Sequence, residues 1–415
     1  MSDVHDAERL KELQALPLNR KIQITQTRII EWYQHYQGNV CISFSGGKDS
    51  TVLLHIARQI YPDIKAVFSN TGLEYPEIRE FVNGFDNVDI VTPSMNFGQV
   101  ISQYGYPLIG KEVAEAIYYA RRIHSQNVQV ERERERTAER KWRELHSQRL
   151  DTHSDKRIEK PENGSPRKVD STFRRMQLSG RGAGVDNYKK SIFNKEKYLP
   201  LARDVPVLIS HYCCFKMKKS PIQKYQRANN YKPILATLAE ESEIRRQGWL
   251  RHGCNAFQSK KPTSQPMSFW TEQDVLTYIL EYGIPIASVY GEIVMVDGDG
   301  NEYQPSSLIG ETMNLKCTGC DRTGCVFCAF GAHLEKGQTR FQRLAITHPR
   351  LYEFCIGGGE WVDNPHYDPT APKMDGEWQN WNPKKIWTRN GKGLGMGKVF
   401  DMVNEIYGKD FYRYD

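Results

Sequence analysis

The run Ser43-Phe44-Ser45-Gly46-Gly47-Lys48-Asp49-Ser50-Thr51 gathers the groups that phosphate chemistry needs. Adjacent Gly46 and Gly47 let main-chain N–H groups come close to phosphate oxygens with no Cβ in the way. Ser45 and Ser50 add hydroxyls, Lys48 adds positive charge, and Asp49 offers a carboxylate of the kind that holds Mg²⁺. Ser43 ends the apolar stretch before the glycines. The spacing is not that of a Walker loop, which places four residues between its first glycine and its Gly-Lys pair. A glycine-rich turn without a ligand is the bland reading, and the agreement of position, residue types and flanking elements weighs against it.

Cysteine supplies the second set. Six of the nine cysteines fall in two groups, Cys213-Cys214 and Cys317, Cys320, Cys325, Cys328. An odd total in short clusters suits metal ligands better than disulfides. In Cys317-x-x-Cys320-x4-Cys325-x-x-Cys328 each pair can present two thiolates to one ion from a single turn. Four thiolates suit Zn²⁺ or an iron–sulfur cluster, and spacing does not separate the two. Cys41, in an apolar run, and Cys254 read as packing residues. Cys355, just before Gly357-Gly358-Gly359, is a candidate nucleophile.

These groups need elements to hold them. Residues 20–37 have the apolar spacing of a helix, and Asn39–Phe44 reads as a short buried strand that runs straight into the glycine turn. Ser50–Ala57 reads as the next helix, whose N-terminus favours an anion. Ile64–Ser69 and Val88–Val91 read as further strands, with helices starting at Pro76 and running through Ile101. Val205–Ile209 and Lys232–Leu238 resume the pattern. Strands alternating with helices at this spacing predict βαβ units: an α/β, Rossmann-like parallel sheet with helices on both faces. The turn at Met295–Gln304 predicts a hairpin leading into the four-cysteine segment.

The expected organisation is a nucleotide-binding domain from 1–120 and 198–294, interrupted by a basic insertion at 121–197. A hairpin and cysteine-rich metal module follows at 295–346, then a Trp- and Gly-rich extension at 347–415. Residues 121–200 hold 21 Lys and Arg against 12 Asp and Glu, so +9 of the chain's net +7 lies there and the rest sums to −2. The first half of the insertion reads as an exposed helix and the second as a mobile linker. Charge confined to one segment fits a polyanionic partner, tRNA or DNA, and equally a solvated helical hairpin. Trp361, Trp378, Trp381 and Trp387 read as packing residues rather than base-stacking ones. No apolar run is long enough to span a bilayer and Met1–Arg20 has no signal-peptide character, so a cytoplasmic, membrane-free protein is expected. Oligomeric state is not legible.

Ser45-Gly46-Gly47-Lys48-Asp49-Ser50 resembles the signature of the PP-loop ATP pyrophosphatases, the adenine nucleotide α-hydrolase superfamily. Ser69-Asn70-Thr71-Gly72-Leu73-Glu74-Tyr75-Pro76-Glu77 resembles the Asp-Thr-Gly-x-x-(Phe/Tyr)-Pro-Glu segment of its phosphoadenosine-phosphosulfate (PAPS) reductase-like branch, with Asn70 in place of Asp. Ser268–Ile279, Gly283-Ile284-Pro285 and Val289-Tyr290 resemble a later segment of that branch. The resemblance spans roughly 25–115 and 200–330, and implies nucleotide contacts from Asn70, Thr71 and Gly72. Cys213-Cys214-Phe215-Lys216-Met217-Lys218-Lys219 and Cys325-Val326-Phe327-Cys328 are similar to the two pairs that hold one [4Fe–4S] cluster in adenylylsulfate reductases. The same likeness points Lys216, Lys218 and Lys219 at substrate phosphate or sulfate, and Glu241, Ser242 and Arg245 at the active site. Lys111, after a Gly-Tyr-Pro-Leu turn, is a further candidate for nucleotide phosphates.

Two enzymatic readings follow. In the first, ATP is cleaved between its α and β phosphates to adenylate an acceptor for sulfur transfer, as in tRNA thiolation or the ATP-pyrophosphatase subunit of DNA phosphorothioation, with a sulfur donor such as a cysteine desulfurase. In the second, the chain is a PAPS or adenylylsulfate reductase. Reductases of that kind carry a nucleophilic cysteine in a Glu-Cys-Gly-(Leu/Ile)-His tail. This chain ends Phe411-Tyr412-Arg413-Tyr414-Asp415 and keeps a full phosphate loop, which favours ATP. A third reading, a metal-dependent nucleic-acid-binding protein without catalysis, requires the loop to be a relic.

Overall fold

The computed structural model describes residues 5–122, 127–130, 132–134, 136–137, 140, 171–180, 194–297, 314–371 and 381–415. The chain divides into two compact units, Met1–Asn96 with Lys216–Val326, and Phe97–Phe215 with Phe327–Asp415. These bounds differ from the domain bounds expected above, since the second unit takes residues from 97 onward.

The first unit is built on a parallel sheet of β1 (Val40–Ser43), β2 (Ala66–Ser69), β3 (Val88–Val91) and β4 (Lys232–Ile234) in the order β3-β2-β1-β4. The inner strands β1 and β2 are short apolar runs, with Val40, Cys41, Ile42, Ala66, Val67 and Phe68 all buried, as strands covered on both faces must be. The edge strand β3 leaves Ile90 half exposed. Strand order reverses at β1, and open parallel sheets receive ligands beyond the C-terminal strand ends at such a point. The parallel α/β architecture is the one predicted.

Three helices frame that end of the sheet. Lys48–Ile60 buries Val52, Leu53, Leu54, Ile56 and Ala57 and packs against Leu18–His35 and Glu272–Tyr282. Those last two helices are joined by an enclosed ion pair, Lys21 Nζ to Asp274 Oδ2 at 2.6 Å. Trp270 Nε1 donates to Thr25 Oγ1 at 2.9 Å beside it. Glu272–Tyr282 starts on a capping box in which Thr271 and Asp274 satisfy each other's backbone N–H, the arrangement that fixes a helix start. A hairpin of β5 (Ile293–Val296) and β6 (Asn314–Cys317) is antiparallel. Gln273 docks it on the helix by donating to Leu315 O and accepting from Leu315 N–H. The predicted turn between the two strands lies largely outside the described residues.

The second unit is mainly helical. Its helices include Phe97–Tyr104, Lys111–Ala120, Arg340–Thr347, Pro349–Ile356 and Met396–Tyr407, with a two-stranded sheet of β7 (Glu360–Asp363) and β8 (Lys385–Thr388). Val205–Ile209, predicted as a strand of the parallel sheet, is instead an extended segment of this unit, linked by single bridges at Tyr106–Ile209 and Val207–Trp387. Its apolar run suits a strand, but the bridging partners are loop and hairpin residues.

Most of the basic insertion lies outside the described residues, and those described between 128 and 140 are helical. Its second half is corrected where it is described. Ser171–Leu178 is a helix with Arg175, Met176, Gln177 and Leu178 buried, and Arg174 pairs with Glu115 at 2.7 Å. Arg121, read as the start of the polar segment, donates to the carbonyls of Leu201, Ala202, Val205 and Val207 and lies over the Trp381 ring at 4.0 Å. Part of the segment's positive charge therefore serves the fold. Among the tryptophans, Trp381 donates to Val205 O and Trp387 to Gly395 O, while Trp378 lies outside the described residues.

Candidate functional site

The phosphate loop turns from β1 into helix Lys48–Ile60. Gly46 adopts φ +70°, and a Cβ there would stand 2.7 and 2.8 Å from methyl carbons of Val82 and Ile78. Only glycine meets both the conformation and the contact. Within the loop, Ser45 and Ser50 hydroxyls lie 3.0 Å apart and Ser50 Oγ donates to Gly47 O at 2.9 Å. Gly47 N–H donates to Ser45 Oγ at 3.3 Å. Ser43 is the last residue of β1.

Lys48 is buried, at 3% exposure, and both its nitrogens donate to residues far along the chain. Its ammonium donates to Asp321 O at 2.8 Å and pairs with Glu272 Oε1 at 3.0 Å. Its backbone N–H donates to the Tyr290 hydroxyl at 3.1 Å, which shares a 2.7 Å bond with Thr323 Oγ1. Burial lowers the lysine pKa, and Asp49 and Glu272 outweigh it, so the net shift is upward and Lys48 keeps its charge. Asp49 is half-buried. Its Oδ1 has no hydrogen-bond partner and lies 3.9 Å from Lys48 Nζ. Burial pushes the Asp49 carboxyl up against the pull of Lys48. An enclosed carboxylate oxygen without a donor is the chemistry a Mg²⁺ accepts.

Glu241 and Arg245 follow β4 and so belong to the same end of the sheet. They form an ion pair with each other, and Arg322 stands 3.6 Å from Glu241. Asp49 feels both arginines. Next to the phosphate loop, the loop after β2 is closed by its own residues. Thr71 N–H and Oγ1 donate to the buried Glu74 carboxylate at 3.0 and 2.7 Å, Leu73 N–H donates to Thr71 Oγ1, and Gly72 N–H donates to Asn70 Oδ1 at 3.2 Å. Lys218 Nζ lies 3.8 Å from Glu74, which brings the Lys216–Lys219 segment to this loop. Lys216 is half-buried there and Lys219 exposed.

The first unit thus brings together Ser43, Ser45, Gly46, Gly47, Lys48, Asp49, Ser50, Asn70, Thr71, Gly72, Glu241 and Arg245 at one end of its sheet. Glu272, Tyr290, Asp321, Arg322 and Thr323 also contribute, and sequence reasoning did not single them out. Tyr290 and Glu272 lie in segments that resemble the family, but no local pattern marks either as a partner of a residue more than 200 positions away. Lys111 belongs to the second unit, exposed at the first position of helix Lys111–Ala120.

The six clustered thiols belong to both units. Cys317 and Cys320 are buried and Cys325 half-buried in the first unit, while Cys213, Cys214 and Cys328 belong to the second. No group of three or more His, Cys, Asp or Glu placed to hold a metal ion occurs among the described residues. Cys355 is fully buried against Met396 Sδ at 3.5 Å, and burial drives its thiol pKa far upward. A nucleophilic cysteine needs an exposed, stabilised thiolate, and Cys355 is placed as a packing residue. Cys41 and Cys254 are buried too.

Residues 39–99 match the profile of the phosphoadenosine phosphosulfate reductase domain. The match covers both the phosphate loop and Ser69–Glu77, in agreement with the PAPS reductase-like branch of the PP-loop superfamily. An uncharacterized protein of Methanocaldococcus jannaschii is 33% identical over 69 residues, 16% of this chain and 17% of that protein. The chain thus spans about a sixth of the length of that relative. A crystal structure of phosphoadenylyl-sulfate (PAPS) reductase from Candida auris in complex with phosphate aligns over 68% of this chain and 90% of its own, at 11% identity and a TM-score of 0.29. No helix among the described residues is long and apolar enough to cross a membrane.

Proposed function

We propose that the protein is an ATP pyrophosphatase that adenylates an acceptor, with a nucleic acid as acceptor and sulfur transfer as the later step. The observation that carries this reading is Lys48, a charged lysine held in the interior at the N-terminus of a helix, beside an Asp49 oxygen that has no donor. An acceptor oxygen attacks the α phosphorus of ATP, the bond from that phosphorus to the bridging oxygen breaks, and diphosphate leaves with the electron pair. Mg²⁺ on Asp49 would neutralise the phosphate oxygens and polarise the phosphorus. Lys48, together with loop amides that exchange their present hydroxyl acceptors for phosphate oxygens, would stabilise the charge that develops on the leaving diphosphate, where fixed donors have their largest effect.

The basic segment 121–197 supports tRNA or DNA as acceptor, and a persulfide-forming donor such as a cysteine desulfurase would supply sulfur. A [4Fe–4S] cluster on Cys213, Cys214, Cys325 and Cys328, or Zn²⁺ involving Cys317 and Cys320, is proposed from spacing and resemblance alone and stays outside the mechanism. A PAPS or adenylylsulfate reductase is the second reading, favoured by the domain match at 39–99. It needs a thiol that attacks sulfur, and Cys355 is enclosed.

The two readings differ in the first product. Full-length protein incubated with Mg²⁺, ATP and tRNA or DNA is expected to release diphosphate. Protein that instead releases sulfite from a sulfonucleotide in the presence of a thiol reductant, with no diphosphate from ATP, would establish the reductase.

A further inference from the structure

Lys48 has a partner that a phosphate would have to replace. Its ammonium carries three protons; one is directed to the main-chain oxygen of Asp321 and another to the Glu272 carboxylate. The two ends of the Lys48–Glu272 pair are unequal. The lysine side chain is 4% exposed and the glutamate 40%. Glu272 is the first residue of its helix, where its backbone is fixed by an N–H bond to Glu240 Oε1 at 2.5 Å. Its side chain can therefore leave for water at small desolvation cost, while Lys48 cannot.

One further carboxylate stands near the lysine. Asp49 is 3.9 Å away, and the cations Arg245 and Arg322 are engaged with Glu241. An ammonium with two of its protons already engaged offers an incoming polyanion a single donor unless the half-exposed carboxylate gives way.

We propose that Glu272 is the exchangeable counter-ion of the phosphate loop, and this rests on the ATP reading above. It neutralises Lys48 when the outer phosphates are absent, swings out when the β and γ phosphates of a triphosphate arrive, and returns as diphosphate departs. Glu272 acts through Lys48, so it is a positioning residue. Its effect is confined to ligands that bear the outer phosphates: ATP and free diphosphate compete with it, and AMP does not. A carboxylate that reclaims the lysine also assists product release.

The test is calorimetric titration of the full chain with Mg²⁺ and, separately, ATP, inorganic diphosphate and AMP, for wild type, Glu272→Gln and Glu272→Asp. Glu272→Gln is expected to bind ATP and diphosphate about fivefold more tightly or better, the size of a partly exposed ion pair. Its AMP affinity should not change, and Glu272→Asp should restore wild-type values. Under saturating ATP the Gln variant should turn over more slowly, limited by diphosphate release. A merely structural role would not tighten any ligand. Glu272→Gln binding ATP and diphosphate no better than wild type, or gaining equally for AMP, overturns the proposal. Wild type that takes up diphosphate but not ATP, with the Gln variant tighter, leaves Glu272 in this role and sinks the ATP reading. Wild type that binds neither removes both.

Discussion

Two loops stand side by side at the C-terminal ends of β1 and β2, and they are held in opposite ways. The side-chain hydrogen bonds of the loop after β2 run among its own residues, Thr71, Glu74 and Asn70, all within five positions of each other, with Lys218 as an outside charge beside Glu74. The phosphate loop keeps its hydroxyls among themselves but commits Lys48 to Glu272, Tyr290 and Asp321, far along the chain. The difference teaches a division of labour. A loop whose side chains are satisfied mainly by near neighbours serves as a wall, whereas a loop whose charge is satisfied from far along the chain can exchange that partner for a ligand.

The largest effect should come from the exchangeable side. Lys48→Ala removes the one buried cation of the loop, and diphosphate release is expected to fall by about a hundredfold or more. Steady-state assays on folded variant protein check this, and an unchanged rate would mean that Lys48 is only a structural ion-pair partner. On the wall side the expected loss is in stability. Glu74→Ala leaves the Thr71 N–H and hydroxyl, both enclosed, without an acceptor, and should cost about 2 to 3 kcal/mol in denaturant unfolding. A loss as small as that of a surface mutation would show that the second loop is not self-contained.

The pH response sharpens the same contrast through Asp49. Its carboxyl is raised by burial, so the folded protein holds that proton more firmly than the unfolded chain does. Stability from this group is therefore present at low pH and lost as pH rises through the folded value. Activity runs the other way, because Mg²⁺ needs the carboxylate. Diphosphate release is expected to fall on acidification at a pH above the ordinary aspartate range, and Asp49→Asn should lose the limb along with most of the activity. An acid limb that persists unchanged in Asp49→Asn would remove Asp49 from the metal role.

How far each loop could be read in advance follows from the range of its contacts. Ser45–Ser50 and Ser69–Glu77 were legible because a strand, a tight turn and a helix start are local events, and residue type at each step decides the geometry. The apolar runs at Val40–Ile42 and Ala66–Phe68 likewise left one plausible sheet. Glu272 and Tyr290 were not legible as partners of Lys48, since that contact depends on how helix Glu272–Tyr282 docks against helix Lys48–Ile60. Arg121 misled for a related reason: its charge suggests solvent, and only the folded chain supplies the four carbonyls that bury it. Cysteine spacing marks pairs within one turn but does not say which pairs meet, and the three glycines after Cys355 do not reveal that its helix turns it inward.

The smallest expected effect is also the sharpest check on the wall. Asn70 replaces the aspartate of the PAPS reductase-like segment, and its Oδ1 accepts from Gly72 N–H at 3.2 Å while its backbone N–H donates to Val91 O. Both functions survive in Asn70→Asp, whose carboxylate oxygen accepts the same bond, so stability should stay within about 0.5 kcal/mol of wild type. Asn70→Leu keeps the size but removes the acceptor, and should cost about 1 kcal/mol. If the loop is a wall whose only demand at this position is an oxygen, Asp and Asn are equivalent there and Leu is not. Denaturant midpoints for the three proteins decide it: equal losses for Asp and Leu would mean that the Asn70 amide makes a second contact that the wall depends on, and that the substitution of Asn for Asp changed the loop's function.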